Sequence, residues 1–425
     1  MSEISEYKTI RTEIAGVPVV ELATKFGGSP VYVYDASTIV KRCAQLCPLG
    51  VVRFAQKACS NIAIIKLVKE QGVLVDAVSA AEVKRALTAG YAPKEIAYTA
   101  DIFDADALEI VTGAANGCVV NVGSLDMIAQ FGERLGDAAQ GREITIRVNP
   151  GFGHGHSNKT NTGGDLAKHG IWHGQIQDAV ALARQYGMTV SGVHMHIGSG
   201  TDFEHLSKVC GAMETSVKQV GTSVKTISCG GGLPIPYTSG EEFIDLEKFA
   251  ALWHETVAKL ERELGHKITF EIEPGRYIVA ESGYLVTQIR AVKRQAENMF
   301  YLVDAGFTHL ARPMAYGSYH PISIVYNPTL GAAPEGECDV VVGGPLCESG
   351  DVFTQEEGGV VVKRTLPAAR VGDYLVLEVA GAYGSAMASN YNSKYLAPEV
   401  LVENGAARLI RRKQTFEQLI ANEIF

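Results

Sequence analysis

The sequence predicts an α/β protein in two parts: a (β/α)8 barrel of the TIM type over residues 30–285, and a mostly-β domain over residues 286–425 to which residues 1–29 contribute. Three observations carry this. From about residue 50 to residue 280 one unit repeats, a short β-rich run, a brief loop and a helical pattern ending near glycine. The unit occurs eight times. After about residue 285 the long helical patterns stop, and β-branched and aromatic runs broken by Gly and Pro replace them.

The eight apolar runs are VVRFAQ, VLVDAVS, EIAYTA, CVVNVGS, EITIRVNP, VSGVHMHIG, VKTISCGGG and ITFEIEPGR, beginning near Val51, Val73, Glu95, Cys118, Glu143, Val190, Val224 and Ile268. Between them, segments such as AAEVKRALTAG, LDMIAQFGERLG, IQDAVALARQYG and DLEKFAALWHETVAKLERELG have helical spacing. Strands alternating with helices build a parallel sheet. Eight such units match a barrel, for which roughly 250 residues is typical. A doubly wound open sheet is the alternative, and the number of units disfavours it. The later runs FYLVDAGF, DVVVGG, GVVVKRTL and DYLVLEVAGAYG read as the β domain, and the partly β-like residues 16–34 are expected to pair with it.

Composition narrows the function. The chain has 425 residues, 46% of them hydrophobic, which supports a full core. Its net charge of −9 excludes the phosphate backbone of a nucleic acid as an expected partner. No apolar stretch is long enough to span a bilayer, and the first residues lack the apolar region of a secretion signal, so a cytoplasmic location is expected. Eight cysteines stand without a CxxC pair, which indicates neither a zinc ribbon nor a disulfide framework. The sequon at Asn158 has no meaning without secretion.

In a barrel of this kind the C-terminal ends of the strands line the active site. Those ends carry Lys57, Asp76 with Ser79, Asp101, Asn121, Arg147, His196 with Ser199, Gly230-Gly231-Gly232, and Glu273 with Arg276. Singly, each has a plain structural reading: a strand-end Asp caps the next helix, a lone His packs, three glycines make a tight loop. Together they form a ring. Glycines after the seventh strand let backbone N–H groups approach an anion, and barrels commonly hold phosphate near strands seven and eight. Neither GxGxxG nor GxxxxGK[ST] occurs. No metal is expected: the rings of His194 and His196 are taken to diverge on opposite sides of the sheet, and His154 and His156 lie in a glycine-rich loop read as an active-site flap or plain surface. A lysine, a phosphate cradle and a carboxylate on one barrel mouth point to pyridoxal 5'-phosphate (PLP), with Lys57 as the residue that binds its aldehyde. Partial desolvation at the mouth would favour the neutral amine.

Longer motifs run in order through nearly the whole chain: RFAQKACSN around Lys57, HMHIGSG (194–200), CGGG (229–232), EPGR (273–276), DAGF (304–307), RPMAYGSYH (312–320), GPLCESGDVF (344–353) and GAYGSAMASNYN (381–392). On these the chain resembles the fold-type III PLP-dependent decarboxylases, and within them the enterobacterial branch acting on diaminopimelate. The resemblance implies that Lys57 holds PLP, that His196 stacks on its ring, and that Ser199, Gly230 to Gly232, Gly275 and Arg276 surround the phosphate, with Tyr383 completing that end. It implies that Glu273 faces the pyridine nitrogen, Asp76 standing with the cofactor group. Arg276, Arg312, Tyr316 and Tyr383 would hold substrate, Arg312 and Tyr316 at its distal carboxylate, a task suited to a planar guanidinium. GPLCESGD resembles a segment that crosses a dimer interface, where Cys347 would return a proton to the carbanion and Glu348 would bind the reacting amino group.

The implied function is decarboxylation of meso-2,6-diaminoheptanedioate to L-lysine by a homodimer with shared active sites. Two rivals stay open: a decarboxylase of ornithine, lysine or arginine, against which Arg312 speaks because a distal amine would meet a cation, and a non-catalytic PLP-binding homologue, which could dispense with Cys347 and Arg312.

Overall fold

The computed structural model describes residues 3–154, 161–200 and 202–425, and the chain divides into two compact units. One unit, Arg42–Ile235 with Ile244–Tyr277, contains the barrel. Its strands are β1 (Val51–Ala55), β2 (Leu74–Ala77), β3 (Ile96–Ala100), β4 (Val119–Val122), β5 (Glu143–Asn149), β6 (Thr189–His194), β7 (Thr226–Ser228) and β8 (Thr269–Ile272). All pair in parallel with their chain neighbours, and β8 pairs with β1, so the sheet closes. A two-residue strand, Ile171–Trp172, adds to β5 outside the ring. The helices are α1 (Ile62–Glu70), α2 (Ala80–Thr88), α3 (Ala105–Thr112), α4 (Leu125–Leu135), α5 (Ile176–Gln185), α6 (Phe203–Val220), α7 (Leu246–Leu264) and the single turn α8 (Arg276–Val279).

Short polar caps start most of these helices where the strands end. Asn61, Ser79, Asp104, Ser124, Asp202 and Asp245 each accept a backbone N–H of the first turn, satisfying donors that a helix start leaves open. The apolar stripes then pack on the outside of the ring. α6 buries Leu206, Val209, Met213 and Val217, and Trp253 of α7 stacks on Phe270 of β8 at 5.2 Å. Where β1 meets β8, Arg53 clamps Glu271 through two bonds of 2.8 and 2.9 Å, both side chains nearly sequestered from water.

The other unit, Met1–Lys41, Pro236–Phe243 and Ile278–Phe425, is built on a sheet whose long strand, Gly283–Gln295, pairs with Asn298–Val303, with Tyr374–Leu377 and with Val31–Asp35. Val31–Asp35 also pairs in parallel with Glu399–Glu403. Of the stretch 30–285 that the sequence assigned to the barrel, residues 30–41, 236–243 and 278–285 group with the β unit, Val31–Asp35 pairing with its sheet as expected of residues 16–34. The reason is legible after the fact: VYVY is buried on both faces, as an interior strand of this sheet must be. Val31, Val33, Val286, Val376, Val400 and Val402 form part of its core. Among the described residues no helix is long and apolar enough to cross a membrane.

Candidate active site

Lys57 lies two residues beyond the end of β1, on a 3-10 turn formed by Gln56–Ala58. Its side chain is exposed, not desolvated as the sequence reading supposed. Gly275 fixes this turn from the β8 side: a Cβ there would come within 2.9 Å of the Ala55 carbonyl oxygen and 3.0 Å of Ala58 Cβ. Only a glycine lets the loop after β8 pack so closely on the lysine-bearing turn.

The interior of the barrel is polar at this end. His194 Nε2 bonds Glu273 Oε2 at 2.8 Å, and the Ser228 hydroxyl donates to Glu273 Oε1 at 2.7 Å. Thr99 donates to Asp76 Oδ1 at 2.6 Å, and Asn121 donates to Thr99 at 3.3 Å. A cavity of about 240 Å³ lies against Thr99, Asn121, His194, Ser228 and Glu273 and extends to Gly117, Cys118, Arg142 and Glu143 at the opposite end of the barrel, where β4 and β5 begin. Burial pushes both carboxylates up, but they part company. For Glu273 the facing His194, its hydrogen bond and that of Ser228 outweigh burial and bring the carboxyl from 4.5 down to about 2. For Asp76 burial, reinforced by the charge on Glu273, wins over the Thr99 bond and Lys57 and holds it well above the ordinary range. Of the two, Glu273 is the carboxylate whose surroundings favour the charged form.

His196 follows the end of β6. Burial, then Arg147, Lys57 and His194, push its pKa well below the ordinary value, so the ring is neutral. Gly230 adopts φ +68°, and a Cβ on it would lie 2.5 Å from His196 Cβ; a Cβ on Gly231 would lie 2.6 Å from the Glu273 carbonyl oxygen. The glycine run is thus a close-approach loop between the two residues. The expectation that His194 and His196 diverge needs correcting, because residues two apart share a side of a strand. What separates them is partners: Glu273 holds His194, while Gly230 backs His196. Ser199, in the loop after β6, and Arg276, the first residue of α8, are half-buried.

Other members of the predicted ring do scaffold work. Ser79 caps α2, accepting the Glu82 N–H at 3.2 Å. Asp101 bonds His169 Nδ1 at 2.6 Å and the Gly170 N–H at 2.8 Å. His156 and the Asn158 sequon lie outside the described residues.

The remaining predicted residues belong to the β unit. Arg312 is buried at the start of a five-residue helix, 3.0 Å from His320 Nε2 and 5.0 Å over the Tyr237 ring. His320 Nδ1 in turn meets the Glu378 carbonyl at 2.9 Å, which orients the ring. Tyr316, on the same helix, is half-buried. Cys347 and Glu348 are exposed. Their loop is braced by Asp351, which accepts the Leu346 and Phe307 N–H groups at 2.8 and 2.7 Å, and by Asn392, which accepts the Cys347 N–H at 2.9 Å. Tyr383 sits at φ +57°, a conformation that a non-glycine residue adopts at a cost of order 1–3 kcal/mol.

Sequence reasoning missed Ser228, Thr99 and the role of His194. Ser228 was detectable, since it ends β7 two residues before the first glycine of the run.

The donor set fits PLP. A primary amine, a backbone cradle that side chains would fill, a neutral imidazole beside it and an ionised carboxylate are the groups that the aldehyde, phosphate, ring face and ring nitrogen require. Asn121 Oδ1 and His194 Nδ1 are buried without a hydrogen-bond partner. A barrel with this mouth fits the class of pyridoxal-dependent enzymes. Residues 36–280 match the family model described as "Pyridoxal-dependent decarboxylase, pyridoxal binding domain". Diaminopimelate decarboxylase of Escherichia coli (strain K12) is 50% identical over 417 residues, 97% of this chain and 98% of that one. The Streptomyces coelicolor enzyme of the same name is 47% identical, covering 93% and 90%. Among solved structures, a diaminopimelate decarboxylase superposes with a TM-score of 0.92 at 50% identity, over 98% of this chain and 99% of that one. Another from Helicobacter pylori, in complex with L-lysine, gives 0.84 at 29%, over 95% and 99%. The chain belongs to the pyridoxal-dependent decarboxylases and, within them, to the diaminopimelate decarboxylase family.

Proposed function

We propose that this chain is a PLP-dependent carboxy-lyase that converts meso-2,6-diaminoheptanedioate to L-lysine and CO2, the final step of lysine biosynthesis. The observation that carries the reading is Glu273, a buried carboxylate kept ionised by His194 and Ser228. Bound at this mouth, the cofactor supplies a sink for the electron pair left when CO2 departs. Glu273 would face the ring nitrogen and hold a proton there. Lys57 would hold the cofactor at its aldehyde carbon. The neutral His196 offers a flat ring face without a competing charge. Arg312 receives the distal carboxylate, Tyr316 and Arg276 assist in holding the substrate, and Cys347 would supply the proton that takes the place of CO2 on the substrate carbon. The L-lysine in the H. pylori complex supports the product.

We place Cys347 and Glu348 in the neighbouring subunit's site, with Tyr383 closing the cofactor's phosphate end, in a homodimer. Support comes from a braced loop that nevertheless exposes both side chains. An exposed thiol with a proton to give needs a reducing compartment, consistent with the cytoplasm. The test is CO2 release by the purified, PLP-loaded protein from meso-diaminopimelate, ornithine, lysine and arginine in parallel. Release from diaminopimelate alone is expected, and preferential release from a substrate with a distal amine would overturn the assignment.

A further inference from the structure

The glycine-rich loop after β5 and the first turn of α6 bring together three side chains that the reaction does not use. His154 stacks on His205 with ring centroids 4.0 Å apart, and both reach Asp202. His205 Nδ1 lies 2.9 Å from Asp202 Oδ1 and 3.0 Å from Oδ2, while His154 Nε2 lies 3.8 Å from Oδ2. Among the described residues this is the group of histidine, cysteine and acidic side chains whose ligand atoms fall within 4.8 Å of one another.

We propose that His154, Asp202 and His205 form a binding site for a divalent transition-metal ion of the zinc class. Two imidazole nitrogens and one carboxylate oxygen are donors that zinc-like ions accept, whereas magnesium and calcium favour oxygen alone. Asp202 Oδ1 caps α6 by accepting the His205 N–H at 2.9 Å and also lies against His205 Nδ1, while Oδ2 faces both rings. Ligands held about 2.0–2.2 Å from an ion stand roughly 3–3.5 Å apart, so the observed spacings require movements on the order of 1 Å. The anchors are firm where they must be. The His154 N–H donates to the Ile197 carbonyl at 3.0 Å, and His205 rides on an eighteen-residue helix. Side-chain exposures of 31, 53 and 26% leave the site open to an ion and its waters. Three protein ligands with open positions make a facultative site. Its occupation would tie the residues before the loop to α6, beside the backbone that carries His196 and Ser199. From the sequence His154 is expected to lie in an active-site flap or plain surface with no metal; Asp202 and His205 stand some fifty positions further along the chain.

The holoenzyme, stripped of adventitious metal, is titrated with Co2+, following visible d–d absorption by difference against the cofactor band, and then with Zn2+ in competition. One equivalent per chain is expected, showing nitrogen and oxygen coordination without thiolate charge transfer, and displaced by Zn2+. His205→Ala should weaken Co2+ binding by at least about 100-fold, more than the loss of an outer-shell partner produces. Asp202→Asn keeps a good helix cap and should weaken it also; His154→Ala provides a variant outside the helix if either fails to fold. Cys347→Ser should leave binding unchanged. Absence of a saturable equivalent, affinity indifferent to these three variants, or loss confined to Cys347→Ser would overturn the site.

Discussion

Replacing Glu273 with Gln removes a charge while nearly preserving shape, and the structure sets the size of the effect. The carboxyl is brought from 4.5 to about 2 by its surroundings, so they favour the anion over the acid by about 3 kcal/mol. Against this, the amide keeps one acceptor oxygen for the Ser228 hydroxyl and the His194 N–H, which bond separate carboxylate oxygens, so the variant loses the charge and one of the two hydrogen bonds but little packing. If that charge is what keeps the ring nitrogen protonated, Glu273→Gln should lower kcat by about two orders of magnitude. KM and the fold should change little. The assay is initial-rate CO2 release from meso-diaminopimelate from pH 6 to 9, with the cofactor's visible spectrum recorded on the same samples. The wild-type carboxylate titrates far below this range, so the deficit should be the same at every pH. A kcat within about threefold of wild type would refute the role of the carboxylate, and a deficit that disappears at one end of the range would assign the titration to another group.

Four further outcomes test the rest. Lys57→Ala should fold, bind PLP without its covalently bound absorption and lose activity; a borohydride-reducible adduct in that variant would place the cofactor on another lysine. Arg312→Ala should lose about 1.5–3 kcal/mol in kcat/KM for diaminopimelate, the scale of a hydrogen bond to a charged group, while lysine and ornithine bind no worse. Lys57→Ala and Cys347→Ala homodimers should both be nearly inactive, yet the purified tagged heterodimer should regain activity because both lesions fall in one site; a heterodimer as inactive as its parents places both residues in the same subunit's site. Burial holds His309 neutral down to about pH 4, whereas an unfolded histidine protonates near 6.5. The unfolded chain then binds the extra proton between these values, so this contribution is present above pH 6.5 and is lost as pH falls toward 4. In denaturant titrations His309→Gln should flatten that slope by about one proton.

The barrel was legible because its eight strand starts and the glycines after its helices repeat at close intervals, and closure follows from the number of units. The boundaries were less so: residues 16–34 read as pairing with the β domain, which Val31–Asp35 does, but that 236–243 also join that unit is decided only by long-range contacts. Lys57, His196, Gly230 and Glu273 were legible as residues because motif and strand end coincide. Their electrostatics were not. Which of Asp76 and Glu273 holds the charge depends on His194 and Ser228, brought there by β6 and β7 from 79 and 45 positions away. His154 with His205 escaped for the same reason, since spacing along the chain carries no information about a loop meeting a helix turn.

The polar interior of the barrel has a consequence for how this protein tolerates change. Barrels of this kind commonly fill their centres with layers of branched aliphatic side chains; here Thr99, Asn121, His194, Ser228 and Glu273 stand in that place around a cavity. Well-packed hydrophobic residues commonly match or exceed buried charge networks in stability. Selection for heat resistance alone, with no requirement for turnover, should therefore drift toward valine and leucine at these positions and yield a tougher barrel with no use for its cofactor. Durable variants that remain active must draw their stability from elsewhere, from the helix caps, the outer aliphatic layer and the β unit.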